Sequence, residues 1–179
     1  GALGKAHLFQ DTPGKGHPRI WGLAETHLSA PGIIKFQQEA KYQPDSWKFV
    51  PSASAPLIGT SAAAIGGKAT GVGVLTNCPT RPLPGQWNDQ AWKTGRIQTA
   101  AVHVQQQWIK VGAFYGYARD AHTKATKDKT DALLSHITER IVLQSKGFRA
   151  ITGDFNALTG DLPQFDIWRA HGFREVQEI

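Results

Sequence analysis

The chain has no methionine and a single cysteine, Cys78. One thiol cannot close an internal disulfide, so nothing points to a stapled secreted scaffold, and a reducing, intracellular setting is the default expectation. No apolar run approaches the roughly 20 residues that a membrane-spanning helix requires, and the start lacks a signal-peptide pattern. Charge is modest as well. Charged residues make up 19% of the 179 and hydrophobic residues 40%, a globular balance and not a disordered one. The histidines lack zinc-type spacing: His7, His17, His122, His136 and His171 suggest no metal cluster, and His27 and His103 read as an edge-loop and a strand-face residue. The absent methionine and the opening "GALGKAHLF" read as a segment of a longer polyprotein whose ends need not be domain ends.

The length favours one domain, residues 1–179, large enough to bury a core. The formal charge of +6 gives weight to a polyanionic partner, nucleic acid above all. Lys124, Lys127 and Lys129 form the densest basic group, diluted by Asp120, Asp128 and Asp131, and are open to reading as a solvated loop or a binding patch. Trp87 and Trp92, near Arg81, Lys93 and Arg96, are open to reading as packing or as an aromatic, basic surface.

Strand patterns recur along the chain. "RIWGLAE" (19–25), "KFV" (48–50), "GVGVLT" (71–76) and "FRAITGD" (148–154) read as strands. "IQTAAVHV" (97–104) and "WIKVGAFY" (108–115), joined by a polar "QQQ", predict a hairpin without Asn-Gly at its turn. Residues 51–70 are rich in small residues and read as a surface excursion, and 77–95 as loop. "TDALLSHITERIVLQ" (130–144) is the clearest helix, with Thr130 as its cap and Lys146-Gly147 as its stop. "LPQFDIWRAHGF" (162–173) predicts a short helix with Phe165, Trp168 and Ile167 inward. The class is mixed α and β, sheet on sheet with helices outside.

Candidate chemistry gathers where strands end: Glu25, Tyr115, and Asp154 with Asn156. A carboxylate there is a hard oxygen ligand suited to Mg²⁺ or Mn²⁺, and a second one can take a proton from water. A carboxamide offers donor and acceptor, and a phenol can donate to a charged oxygen. If extension persists past Asp154, residues 154 and 156 share a face. "GDFN" is equally open to reading as a turn, Glu25 as a solvated strand end, and Tyr115 as a packed aromatic with Tyr117 its competitor.

These segments together resemble the endonuclease/exonuclease/phosphatase superfamily, specifically the apurinic-type endonuclease domains of non-LTR retrotransposons. "WGLAETHLS" is similar to that group's strand ending in a metal-binding Glu, and "GVGVLT" to its glycine-punctuated second motif. "GRIQTAAVHV…IKVGAFYGYA" is similar to its Arg-led hairpin ending in an active-site Tyr, and "ITGDFNA" to its G-D-F-N motif. The resemblance implies a DNase I-like two-sheet α/β sandwich with outer helices, truncated at both ends. It also implies Mg²⁺- or Mn²⁺-dependent phosphodiester hydrolysis on DNA, in the nucleus if the target is chromosomal. Glu25 would bind the metal, Tyr115 contact the scissile phosphate, Asp154 activate water and Asn156 orient the phosphate. The group's Asn on a strand before the Glu, and its closing Ser-Asp-His, have no counterpart here. A phosphatase of the same superfamily and a catalytically dead nucleic-acid-binding remnant are the alternatives.

Overall fold

The structure, a computed structural model, describes residues 17–26, 28, 30–43, 45–52, 71–83, 90–118, 121–144 and 146–175. Most of the 51–70 excursion, His7, His27, Trp87, Asp120 and the side chain of Lys93 lie outside the described residues.

Two sheets form. In the first, β1 (Ile20–Leu23) and β2 (Lys48–Pro51) both pair antiparallel with a central β3 (Gly73–Thr76). In the second, β4 (Thr80–Pro82), β5 (Ile97–Val104) and β6 (Gln107–Tyr115) are antiparallel, and β7 (Arg149–Asp154) lies parallel beside β6. A parallel pair needs a crossover connection, and α3 (Lys124–Ile137), prolonged by π-helical turns over Thr138–Leu143, supplies it.

Alternation along the strands sorts side chains into three apolar layers. Val72, Val74, Ala100, Val102, Val111, Ala113 and Tyr115 make one buried cluster between the sheets. The other face of β6 sends Phe114 against Leu134, Ile137 and Ile141 of the long helix, and against Phe165 and Trp168 of α4 (Gln164–Ala170). Outside the first sheet, Phe49 and Leu75 pack on Ile33, Phe36 and Ala40 of α1 (Ala30–Lys41). Full burial of each large apolar side chain is worth roughly 1.5–3 kcal/mol. The result is the expected two-sheet α/β sandwich with helices outside, each sheet held on both faces.

Several local expectations change. The helix α1 was not anticipated, because Pro31-Gly32 opens it and only Ile33, Phe36 and Ala40 mark its inner face; proline is tolerated in a first turn, where its missing N–H has no partner anyway. Helix α3 begins six residues before the expected Thr130. Thr123 is its cap, its hydroxyl accepting from the Thr126 amide at 3.4 Å, while Thr130 is buried and accepts from the Tyr117 amide at 3.2 Å. Lys124, Lys127 and Lys129 therefore sit on a helix and not in a loop. Lys127 reaches Asp161 at 2.8 Å, and Asp131 accepts from the amide of Gln164 at the start of α4. Residues 77–95 hold β4 and a short α2 (Gln90–Lys93). Trp92 is core: it is buried, and its indole donates to Gln98 Oε1 at 2.6 Å. Ile167 does not face inward; it is 37% exposed.

The β5–β6 hairpin turns on Gln105 and Gln106, at φ 45° and 69°, with Val104 paired to Gln107. Two left-handed central residues make the primed turn whose twist suits a hairpin, yet glutamine is strained there by about 1 kcal/mol. Replacing Gln105-Gln106 with Asn-Gly is expected to raise unfolding free energy by about 1 kcal/mol. Urea denaturation reads this, and an unchanged or lowered midpoint would contradict the turn assignment.

Candidate active site at one end of the sandwich

Glu25 lies just past β1, and its backbone is left-handed at φ 51°, uncommon for a residue with a long side chain. Backbone bonds hold it there. The next amide, Thr26, donates to the Gly71 carbonyl at 2.9 Å, and the Gly71 amide donates to the Gly95 carbonyl at 3.1 Å. Ser52 adds to the lacing: its amide donates to Val72 O at 2.8 Å and its hydroxyl to Gly95 O at 3.3 Å. The exit of β1, the entrance to β3 and the entrance to β5 are thus tied across the two sheets.

Tyr115 closes β6 with its ring in the inter-sheet core, only 3% exposed, and its phenol donates to Oε1 of Glu25. Asp154 closes β7 and is the register partner of Tyr115 in the parallel pair. Burial first, then the hydrogen bond and charge of Glu25, push the phenol up to about 12; Asp154 adds to the rise and Arg96 opposes it. Both carboxylates therefore act on one hydroxyl. The Glu25–Tyr115 bond and the Tyr115–Asp154 register bring the three residues together from two sheets.

The end of β7 is a turn as well as a site. Gly153 has φ 156°, and a Cβ there would stand 2.0 Å from the Phe114 carbonyl oxygen. Asp154 Oδ1 accepts from the Asn156 amide at 3.0 Å, an Asx turn, and Asn156 is left-handed at φ 51°. The strand's extension does not persist to residue 156, so the shared-face expectation for the acid and amide fails. Asn156 instead reaches back, its Nδ2 donating to the Gly116 carbonyl at 3.2 Å. Between them Phe155 is anchored, stacked on Phe114 at 5.3 Å and edge-on to Phe165 at 5.1 Å.

Arg96, considered above only as a surface cation, enters the site's frame. Its Nη1 donates to the Gly116 carbonyl at 2.8 Å and, more weakly, to that of Tyr115 at 3.4 Å. The guanidinium lies 4.3 Å from the Tyr117 ring and 5.1 Å from that of Tyr115. Tyr117, the competitor of Tyr115, is thereby occupied in stacking. Among the remaining histidines, His103 sits on a strand face with its ring 5.0 Å from that of Trp108, and His171 Nδ1 lies 2.9 Å from Ile167 O; neither is near these groups in the contacts seen.

No group of three or more His, Cys, Asp or Glu side chains converges among the described residues. Mg²⁺ is held by one or two carboxylates and keeps several waters. A single exposed carboxylate, Glu25, with one oxygen engaged by Tyr115 and a second carboxylate nearby, fits that requirement.

No known family's sequence profile matches the chain, and no curated protein does. Among solved structures it is similar to a Staphylococcus aureus beta toxin, at 10% identity and a TM-score of 0.48. The match covers 93% of this chain and 62% of that one.

The raised phenol has a measurable consequence. A folded-state pKa of about 12, against an ordinary 10.0, means the folded chain holds this proton more tightly than the unfolded one. The stabilisation is complete below pH 10 and lost as pH rises through about 12. An ultraviolet phenolate titration is expected to show Tyr115 ionising late, and its midpoint moving toward lower pH in Glu25→Gln. An unmoved titration in that variant would refute the contact.

Proposed function

We propose that the chain is a metal-dependent phosphodiester hydrolase, and that its substrate is DNA, nicked on behalf of a mobile element. One observation carries the reading: Glu25, Tyr115 and the Asp154–Asn156 pair come from three separated stretches to one end of the sandwich. The four motifs in order, on a two-sheet α/β fold, and the net charge of +6 support it.

Glu25 would hold a Mg²⁺ or Mn²⁺ ion through the carboxylate oxygen not engaged by Tyr115. Such an ion neutralises phosphate charge and lowers the pKa of bound water. Asp154 keeps its Oδ2 to take a proton from the attacking water, since Oδ1 accepts from the Asn156 amide. Asn156 uses one Nδ2 proton on Gly116 and offers the other, together with its carbonyl oxygen, to phosphate or water. The Tyr115 phenol stays protonated across the physiological range, and its one O–H, given to Glu25 here, would have to turn to a non-bridging oxygen for the phenol to donate to the phosphate.

The test is nicking of supercoiled plasmid by the full-length protein with Mg²⁺. Cleavage is expected to stop with a chelator and to slow by about 10²–10⁴-fold in Asp154→Ala, the range of a lost general base. Glu25→Gln is expected to raise the Mg²⁺ concentration needed for half-maximal rate. Phosphate release from small phosphoesters without nicking would favour the phosphatase alternative. Salt-sensitive DNA binding without cleavage would favour a binding remnant. For that last reading the surface is smaller than the sequence suggested, because Trp92 is buried and Arg96 is engaged with the backbone.

A further inference from the structure

We propose that Arg96 is a positioning residue that sets the Asn156 carboxamide through the Gly116 carbonyl, a role that rests on the hydrolase reading. The Gly116 peptide unit is a hub. Its N–H donates to the Asp154 carbonyl at 2.7 Å, and its own carbonyl accepts from Arg96 Nη1 at 2.8 Å and from Asn156 Nδ2 at 3.2 Å. A carbonyl oxygen has two lone pairs, so these two donors fill it. The position admits only glycine, because a Cβ would stand 2.1 Å from the Phe155 carbonyl oxygen.

The guanidinium is poorly placed to serve the substrate directly. It is half-buried, lies over two tyrosine rings at 4.3 and 5.1 Å, and its Nη1 spans two backbone carbonyls. Planarity fixes the direction of each N–H once the stack is made, which an ammonium on a flexible stem cannot reproduce. Arg96 thereby locks the plane of the peptide that Asn156 grips. The amide's remaining donor and acceptor then point one way only. Without the lock, Gly116 O turns toward water and the carboxamide loses its reference, and a displacement of about 1 Å near the reacting atoms costs on the order of 10²-fold in rate.

The decisive variant is Arg96→Lys, which keeps the charge and loses the fork. With plasmid or oligonucleotide substrate and Mg²⁺, kcat is expected to fall about 10–100-fold while KM moves less than about twofold. In a double-mutant cycle, Arg96→Lys combined with Asn156→Ala is expected to be no slower than Asn156→Ala alone. A raised KM with unchanged kcat would make Arg96 a substrate contact, and additive effects would make it independent of Asn156; either overturns the proposal. A second readout needs no catalysis. The Asn156 Nδ2 proton that is bonded to Gly116 is expected to exchange slowly in the parent protein and rapidly in Arg96→Lys, by NMR. Loss of thermal stability with unaltered Asn156 signals would reduce Arg96 to a structural residue. If the parent protein cleaves nothing, the hydrolase reading fails, while the amide signals still decide the positioning claim.

Discussion

The hydrogen bond from the Tyr115 phenol to the Glu25 carboxylate joins the two sheets where their strands open. Everything else at this end of the molecule is arranged around it. The apolar cluster between the sheets is almost wholly small and aliphatic, Val, Ala and Ile with Cys78, and Tyr115 is its one aromatic member. Its ring belongs to that core and its hydroxyl does not. A buried phenol without a partner would lose its water hydrogen bonds for nothing, so the position of Glu25 is imposed by the packing of Tyr115. The backbone bonds through Thr26, Gly71 and Gly95 then hold the carboxylate in register.

The second constraint is how closely the β6 and β7 ends approach. Gly153 against the Phe114 carbonyl and Gly116 against the Phe155 carbonyl leave no room for any side chain. This proximity lets one peptide unit, Gly116, touch Asp154, Asn156 and Arg96 together. A turn and a chemical site are usually rival readings of a Gly-Asp-Phe-Asn stretch. Here they are the same object. The Asx turn spends one oxygen of Asp154 on the backbone and frees the other, and it swings Asn156 out of strand geometry so that its amide returns toward Tyr115's end of β6.

Strands and the layer order were legible because period-two alternation in β5 and β6 is long and clean, and because β1, β6 and β7 each run up to a polar residue of a different kind. Glu25, Tyr115 and Asp154 could be named from that pattern. The helix α1 could not, since its inner face is only Ile33, Phe36 and Ala40 amid glutamine and lysine, with proline and glycine at the start. Nor could the start of α3: a run of lysine and aspartate before Leu133 hides a helix whose buried face begins at Thr130. Arg96 was visible as a residue and invisible as a function. Its role depends on a carbonyl 20 positions away, and nothing in local sequence encodes a contact of that range. The choice between strand and turn at Asn156 stayed open for a related reason, because alternation says where a strand would go and not where it stops.

Left-handed backbone shows where the chain accepts strain. Five described non-glycine residues have positive φ: Ser46, Gln105 and Gln106, then Glu25 and Asn156. Ser46 and the two glutamines lie between secondary-structure elements, the glutamines at the hairpin turn. Asparagine takes the left-handed region readily, so Asn156 is at home in its Asx turn. Glu25 is different. Glutamate is not among the residues that take this region readily, and glycine would relax it by roughly 1–2 kcal/mol. A relaxed residue there would present no carboxylate to Tyr115, and a glutamate in ordinary extended backbone would carry its side chain elsewhere. Strain of this kind persists where surrounding structure over-determines a residue, and it gathers at sites that bind or react. The chain thus accepts strained backbone at the same residue whose oxygen meets the phenol, a coincidence that favours the proposed cation site over a solvated strand end.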